Sequence, residues 1–210
     1  MKENILGFDV DKASQDELVD KLFQDISSMS DSHSHSKWLA CLNAHSYAVS
    51  RHDSIYLQAL KNADLLIPDG SGIVMASRVL GGKIVERITG FDIFFGLHTI
   101  ANHKGNISVF FLGSTEKNLD MIASQIAKDF PNINVVGTYS PPFKDEFSDD
   151  EVNKMIAVIN ASEADILWVG MTAPKQEKFI FKNINKLNIK FAGAVGAVFD
   201  FYTGNVKRSP

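Results

Sequence analysis

The sequence predicts one α/β domain, a mostly parallel sheet with helices on both faces. Six short, continuous apolar runs recur along the chain, and amphipathic helical patterns separate them. A strand covered on both faces has no polar side, so it reads as an unbroken apolar run instead of an alternation. Most of the runs stop at Gly, Pro or Asn, where the chain turns out of the core.

Taken in order, 37–43 ("KWLACLN") and 63–68 ("ADLLIP") are the first two predicted strands, with a less regular helical pattern between them. "SGIVMASRVL" (71–80) reads as a helix, and "ISVFFLG" (107–113) as the third strand. In "EKNLDMIASQIAKDF" a stripe of Leu119, Ile122, Ala123, Ile126 and Phe130 predicts a core-facing helix. "INVVGTY" (133–139) is the fourth strand. The next helix carries Val152, Met155, Ile156 and Ile159 on one face, and Ser148 stands three residues before Glu151, the spacing of a capping box. "DILWVG" (165–170) and "IKFAGAVG" (189–196) complete the set. Two polar stretches, 27–36 and the proline-stiffened 140–148, read as loops.

Bulk properties narrow the function. The 210 residues suit one domain, and 45% hydrophobic content fills a substantial core. A net charge of -4 argues against a nucleic-acid partner, which calls for a basic face. The single cysteine, Cys41, rules out an internal disulfide framework. The start, "MKENILGFDVDK", lacks the uninterrupted apolar region of a signal peptide, and no run approaches the ~20 residues of a membrane-spanning helix.

In parallel sheets ligands bind beyond the carboxyl ends of the strands, so the site is sought there. Asp69 sits between Pro68 and Gly70 at such an end. A carboxylate there can cap the following helix, but Ser71 stands closer and can cap it unaided, so a structural and a functional role for Asp69 stand level; Gly70 would let the backbone approach a ligand. Arg87 in "ERITG" by itself reads as half of a surface ion pair with Glu86, ahead of a guanidinium for phosphate oxygens. In "GMTAPKQEKF", Pro174 suits a first helical turn, and Lys175 and Gln176 follow; a solvated turn and an anion site fit equally. Asp200, flanked by Phe199 and Phe201, needs a partner, for which a structural salt bridge is the conservative choice.

Three patterns are set aside. "DVD" (9–11) reads as a solvated turn, "HSH" (33–35) lacks further zinc ligands, and "FLGSTEKN" lacks the G-x-G-x-x-G turn of dinucleotide enzymes.

Together, Leu42-Asn43, "ADLLIPDGSG", "ERITG", "VGMTAPKQE" and "GAVFDFYTGNVKR" resemble, in order and spacing, the WecG/TagA/CpsF glycosyltransferases, also called glycosyltransferase family 26. The resemblance runs from about Asn4 to the last residue. It implies a Rossmann-like fold and an inverting, metal-independent transferase without a cofactor. The implied donor is a UDP-sugar of N-acetylmannosamine type or related, and the acceptor a polyprenyl-diphosphate-linked sugar in surface-polysaccharide synthesis. By motif, Asp69 is the implied catalytic base. Asn43, Gly70, Arg87, Lys175, Gln176 and Asp200 are implied substrate contacts.

The family's usual threonine is replaced here by Cys41, a weaker hydrogen-bond donor. The resemblance also implies a basic, aromatic-containing tail, expected beyond "KRSP", that touches the inner face of the cell membrane. Apolar surface uncovered without it would suit a homo-oligomer. The rival expectation is a non-catalytic nucleotide-binding partner that enhances another transferase; the paired "PDG" and "PKQE" blocks favour the enzyme.

Overall fold

The computed structural model describes residues 2–29, 36–105 and 107–207. Its strands are β1 (Lys2–Ile5), β2 (Phe8–Asp11), β3 (Lys37–Leu42), β4 (Leu65–Pro68), β5 (Ile107–Gly113), β6 (Ile133–Tyr139), β7 (Ile166–Gly170) and β8 (Phe191–Ala194). The helices are α1 (Gln15–Ser28), α2 (Ala44–Ser50), α3 (Ser54–Lys61), α4 (Ser71–Val79), α5 (Gly90–Lys104), α6 (Glu116–Asp129), α7 (Asp149–Ala161), α8 (Lys175–Asn183) and α9 (Val198–Tyr202).

All six predicted strands form one parallel sheet in the order β4-β3-β8-β7-β5-β6, the Rossmann-like arrangement expected. Successive side chains point to opposite faces. Thus Phe110, Leu112, Leu167 and Val169 enter one core with α3, α7 and α8. Their neighbours Val109, Phe111, Ile166 and Trp168 enter the other, with α1, α5 and α6. The two cores make the central strands apolar apart from Lys37 and Ser108 near their amino ends.

Two local expectations change. "DVD" is no turn: it belongs to β2, paired antiparallel with β1. Asp9 accepts a hydrogen bond from Asn4, while the buried Asp11 accepts one from the Leu66 N–H (3.2 Å) and so ties the hairpin to the sheet. Residues 27 and 28 of the predicted loop 27–36 belong to α1, which runs through Ser28 from a Ser14–Glu17 capping box, and residues 30–35 lie outside the described residues. The "HSH" pattern lies outside the described residues. The Ser148–Glu151 capping box is present as predicted.

The strand ends are held close by small residues. Gly113 has φ +115°, and a Cβ there would sit 2.4 Å from the Gly170 carbonyl oxygen. β5 and β7 meet at this pair, so no larger residue fits without parting them.

Candidate active site

Beyond the carboxyl ends of the strands lies a cavity of about 1100 Å³, to which the turns after β3, β4, β5, β6, β7 and β8 all contribute. That is a volume for a ligand larger than a single sugar ring. Asn43, Asp69, Arg87, Lys175, Gln176 and Asp200 all line it, although they lie up to 157 positions apart (200 minus 43). Gly70, next to Asp69 in the chain, is not among the lining residues; its φ is +131°.

Asp69 is half-buried, and its N–H donates to the Leu42 carbonyl (2.9 Å), which fixes the turn of β4 against β3. Ser71 does not cap α4, contrary to expectation. It is the first helical residue, and the N-cap position falls on Gly70, which has no side chain to offer. The N-cap residue of α4 therefore offers its first-turn amides no side-chain oxygen, and neither does Pro174 at the N-cap of α8. The α2, α5 and α6 helices also begin at the cavity, but Asn43, Thr89 and Thr115 cap them. Helix starts whose N-cap residue gives no side-chain oxygen, those of α4, α8 and the short α9, present donors and partial positive charge, which suits an anionic ligand.

Asn43 spends its Oδ1 on the Ser46 N–H (2.8 Å), so its Nδ2 is the group it can offer a ligand. Arg87 is exposed at the cavity, while the adjacent Glu86 accepts from the Gln15 N–H (3.2 Å) and thereby serves the α1 start. Pro174 occupies the N-cap of α8, one position before the predicted first turn. Lys175 donates to the Lys144 carbonyl, and its ammonium lies 5.4 Å from the Phe147 ring and 5.8 Å from the Phe143 ring. It thus pins the 140–148 loop, a loop as predicted, across one side of the cavity.

Gln176 is 4% exposed, and its Oε1 accepts from both the Met171 N–H (3.2 Å) and the Gly196 N–H (3.0 Å). Its Nε2 donates to Glu177 Oε1 (2.9 Å). The amide therefore clamps the chain after β7 to the chain after β8. Glu177 is 2% exposed, and its Oε2 has no hydrogen-bond partner. Burial raises its carboxyl to about 7, while the bond from Gln176 pulls the other way. The Tyr56 hydroxyl is also unpartnered, with the Ser46 hydroxyl close by but no bond made. Cys41 lines the same cavity; burial, then the Asp69 carboxylate, push its thiol well above the usual range.

Asp200 meets an amide where a salt bridge was expected. Asn118 Nδ2 donates to its Oδ1 (3.0 Å) and also to Ser114 Oγ (2.9 Å). Asn118 Oδ1 accepts from Thr203 (2.7 Å) and Asn205 (2.8 Å). This 3%-exposed asparagine joins the turn after β5 to α9. It belongs to "FLGSTEKN", set aside as a dinucleotide motif, so its part in the site was missed. Tyr56, Ser46 and Glu177 were missed as well; the one available signal was Glu177 within "PKQE". Among the described residues no group of three or more His, Cys, Asp or Glu is placed to hold a metal.

Sheet and strand-end cavity together define a Rossmann-like α/β protein with a carboxylate-lined cavity at its strand ends. The profile of the glycosyl transferase WecG/TagA/CpsF family matches residues 3–210, and the chain belongs to that family. It is 36% identical over 155 residues to a Bacillus spizizenii protein named N-acetylglucosaminyldiphosphoundecaprenol N-acetyl-beta-D-mannosaminyltransferase, a match covering 74% of this chain and 58% of the relative. A Bacillus subtilis protein of the same name is 32% identical over 160 residues, covering 75% and 59%. A Staphylococcus aureus protein, also so named, is 25% identical over 209 residues, covering 100% and 78%. The chain thus matches less than two thirds of the length of the two Bacillus relatives.

Proposed function

We propose that this chain is an inverting glycosyltransferase of bacterial surface-polysaccharide synthesis. It moves an N-acetylmannosamine-type sugar from a UDP-sugar to a polyprenyl-diphosphate-linked acceptor. The names of its relatives support the sugar and the acceptor class. The observation that carries the reading is the place of Asp69: a carboxylate at a strand end, in one cavity with Arg87 and Lys175 and beside an uncapped helix start.

Asp69 takes the proton of the acceptor hydroxyl as that oxygen attacks the anomeric carbon from the face opposite the leaving group. The bond from that carbon to the UDP oxygen breaks, and its electron pair leaves on the diphosphate. The transition state has oxocarbenium character. Fixed donors stabilise the charge that builds on UDP, and Arg87, Lys175 and the first-turn amides of α4 and α8 fill that role without a metal. The lipid-linked acceptor brings the protein to the inner face of the cell membrane; no described helix is long and apolar enough to cross it.

The test is transfer from UDP-N-acetylmannosamine to a polyprenyl-diphosphate N-acetylglucosamine acceptor, with and without EDTA, alongside UDP binding. Asp69→Asn is expected to lower the rate by roughly 10²-fold or more while UDP binding persists. Full transfer by that variant would overturn the reading, and loss of transfer in EDTA would overturn its metal-free part.

A further inference from the structure

The machinery proposed above leaves Glu177 without a task, yet this carboxyl is nearly sealed from solvent at the cavity's edge. One oxygen accepts from Gln176; the other has no partner. The groups that face it supply no positive charge. Tyr56 comes from α3 and Cys41 from β3, with Asp69 and Asp92 beyond Cys41. Lys178, the next residue on α8, is committed to an ion pair with Asp53. A charged carboxylate in this place would be both desolvated and uncompensated.

We infer that Glu177 is a positioning residue that works as a neutral acid, with its proton on Oε2, and that it acts through Gln176. The neutral carboxyl offers Oε1 to Gln176 Nε2 and so sets the amide the right way round. Gln176 Oε1 can then hold the Met171 and Gly196 N–H groups together. Those two amides belong to the turns that follow β7 and β8, both of which line the cavity. An ionised Glu177 is relieved by turning toward cavity water, which takes the acceptor away from Gln176 and frees the amide to rotate. It also adds a second negative charge near Asp69, which repels a nucleotide diphosphate.

Two measurements test this. The first is amide hydrogen exchange at Met171 and Gly196, corrected for intrinsic rates, at about pH 6 and about pH 8. It is made on the wild-type chain and on Glu177→Gln, whose side chain cannot ionise. The wild type is expected to lose about tenfold protection at these two amides over that interval, and the variant to keep it. Unchanged wild-type protection, or equal loss in both proteins, overturns the inference; should the variant not fold, the wild-type pair decides alone. The second measurement is UDP affinity over the same interval, expected to fall several-fold in the wild type and stay level in the variant. Wild-type affinity that ignores pH while protection falls would overturn the link to the site. This arm rests on the donor proposed above. Absence of UDP binding in both proteins at either pH would count against that donor, and the exchange result would then decide Glu177 by itself.

Discussion

His98 on α5 and Glu177 on α8 lie on opposite faces of the sheet, buried almost equally at 1% and 2% exposure. Both keep an unpartnered polar atom, Nε2 of His98 and Oε2 of Glu177. Burial acts on each in the same way, by disfavouring the charged form. The results run in opposite directions: His98 falls to about 4, and Glu177 rises to about 7. Their surroundings explain why one is core and the other belongs to a site. Rings of Phe94, Phe111, Phe130 and Trp168 enclose His98, and its Nδ1 bonds the Phe94 carbonyl (2.8 Å) within its own helix. Glu177 instead reaches, through Gln176, two turns of the cavity. Equal burial does not mean equal purpose; what the neighbours bind decides it.

The largest effect expected on the His98 side is Phe94→Ala. Phe94 is fully buried against His98, Trp168 and Tyr202, so its loss should cost about 3–5 kcal/mol. Denaturant unfolding measures the loss, while UDP affinity of the folded protein should hold. A matching fall in affinity would break the separation of core from site.

The pH dependence is next in size. His98 is harder to protonate folded than unfolded, so its contribution to stability is complete above its unfolded value of 6.5 and lost as pH falls through about 4. Glu177 is easier to protonate folded, so its contribution is complete below 4.5 and lost as pH rises through about 7. Each is worth about 3 kcal/mol at the conversion of ~1.4 kcal/mol per pKa unit. Between 4.5 and 6.5 the two oppose each other and largely cancel. Removing either exposes the other. His98→Phe should make stability fall more steeply with rising pH across this window, and Glu177→Gln should make it rise. Urea unfolding of the three proteins across the window checks both signs, and parallel curves would refute the comparison.

The smallest effect serves as the control. Ser148→Ala removes the cap of α7 and should cost about 1 kcal/mol at every pH above the window. A pH-dependent cost there would mean that the opposing slopes belong to the protein at large and not to two side chains.

Six parallel strands were legible because strands buried on both faces have an unmistakable pattern. The β1–β2 hairpin was not, since its four-residue strands mix apolar and charged residues in no diagnostic period. Nor was α5, with glycines at 90 and 96 and apolar residues on several sides; packing against α1 and the sheet makes it a helix. The motif residues Asn43, Asp69, Arg87, Lys175, Gln176 and Asp200 do meet in one cavity. Asn118 escaped notice because its stretch was set aside as a failed dinucleotide motif, and Tyr56 because it lies in no motif; each gains its place from segments distant in the chain.

The six strands, their ends and the carboxylate after β4 could be read from residue order, because apolar runs and turn residues act locally. Tertiary structure alone decided that Gln176 clamps two turns, that α4 starts without a cap, and that Glu177 and His98 are driven toward neutrality. Those properties depend on desolvation and on hydrogen-bond partners, which neighbouring elements of the folded chain supply.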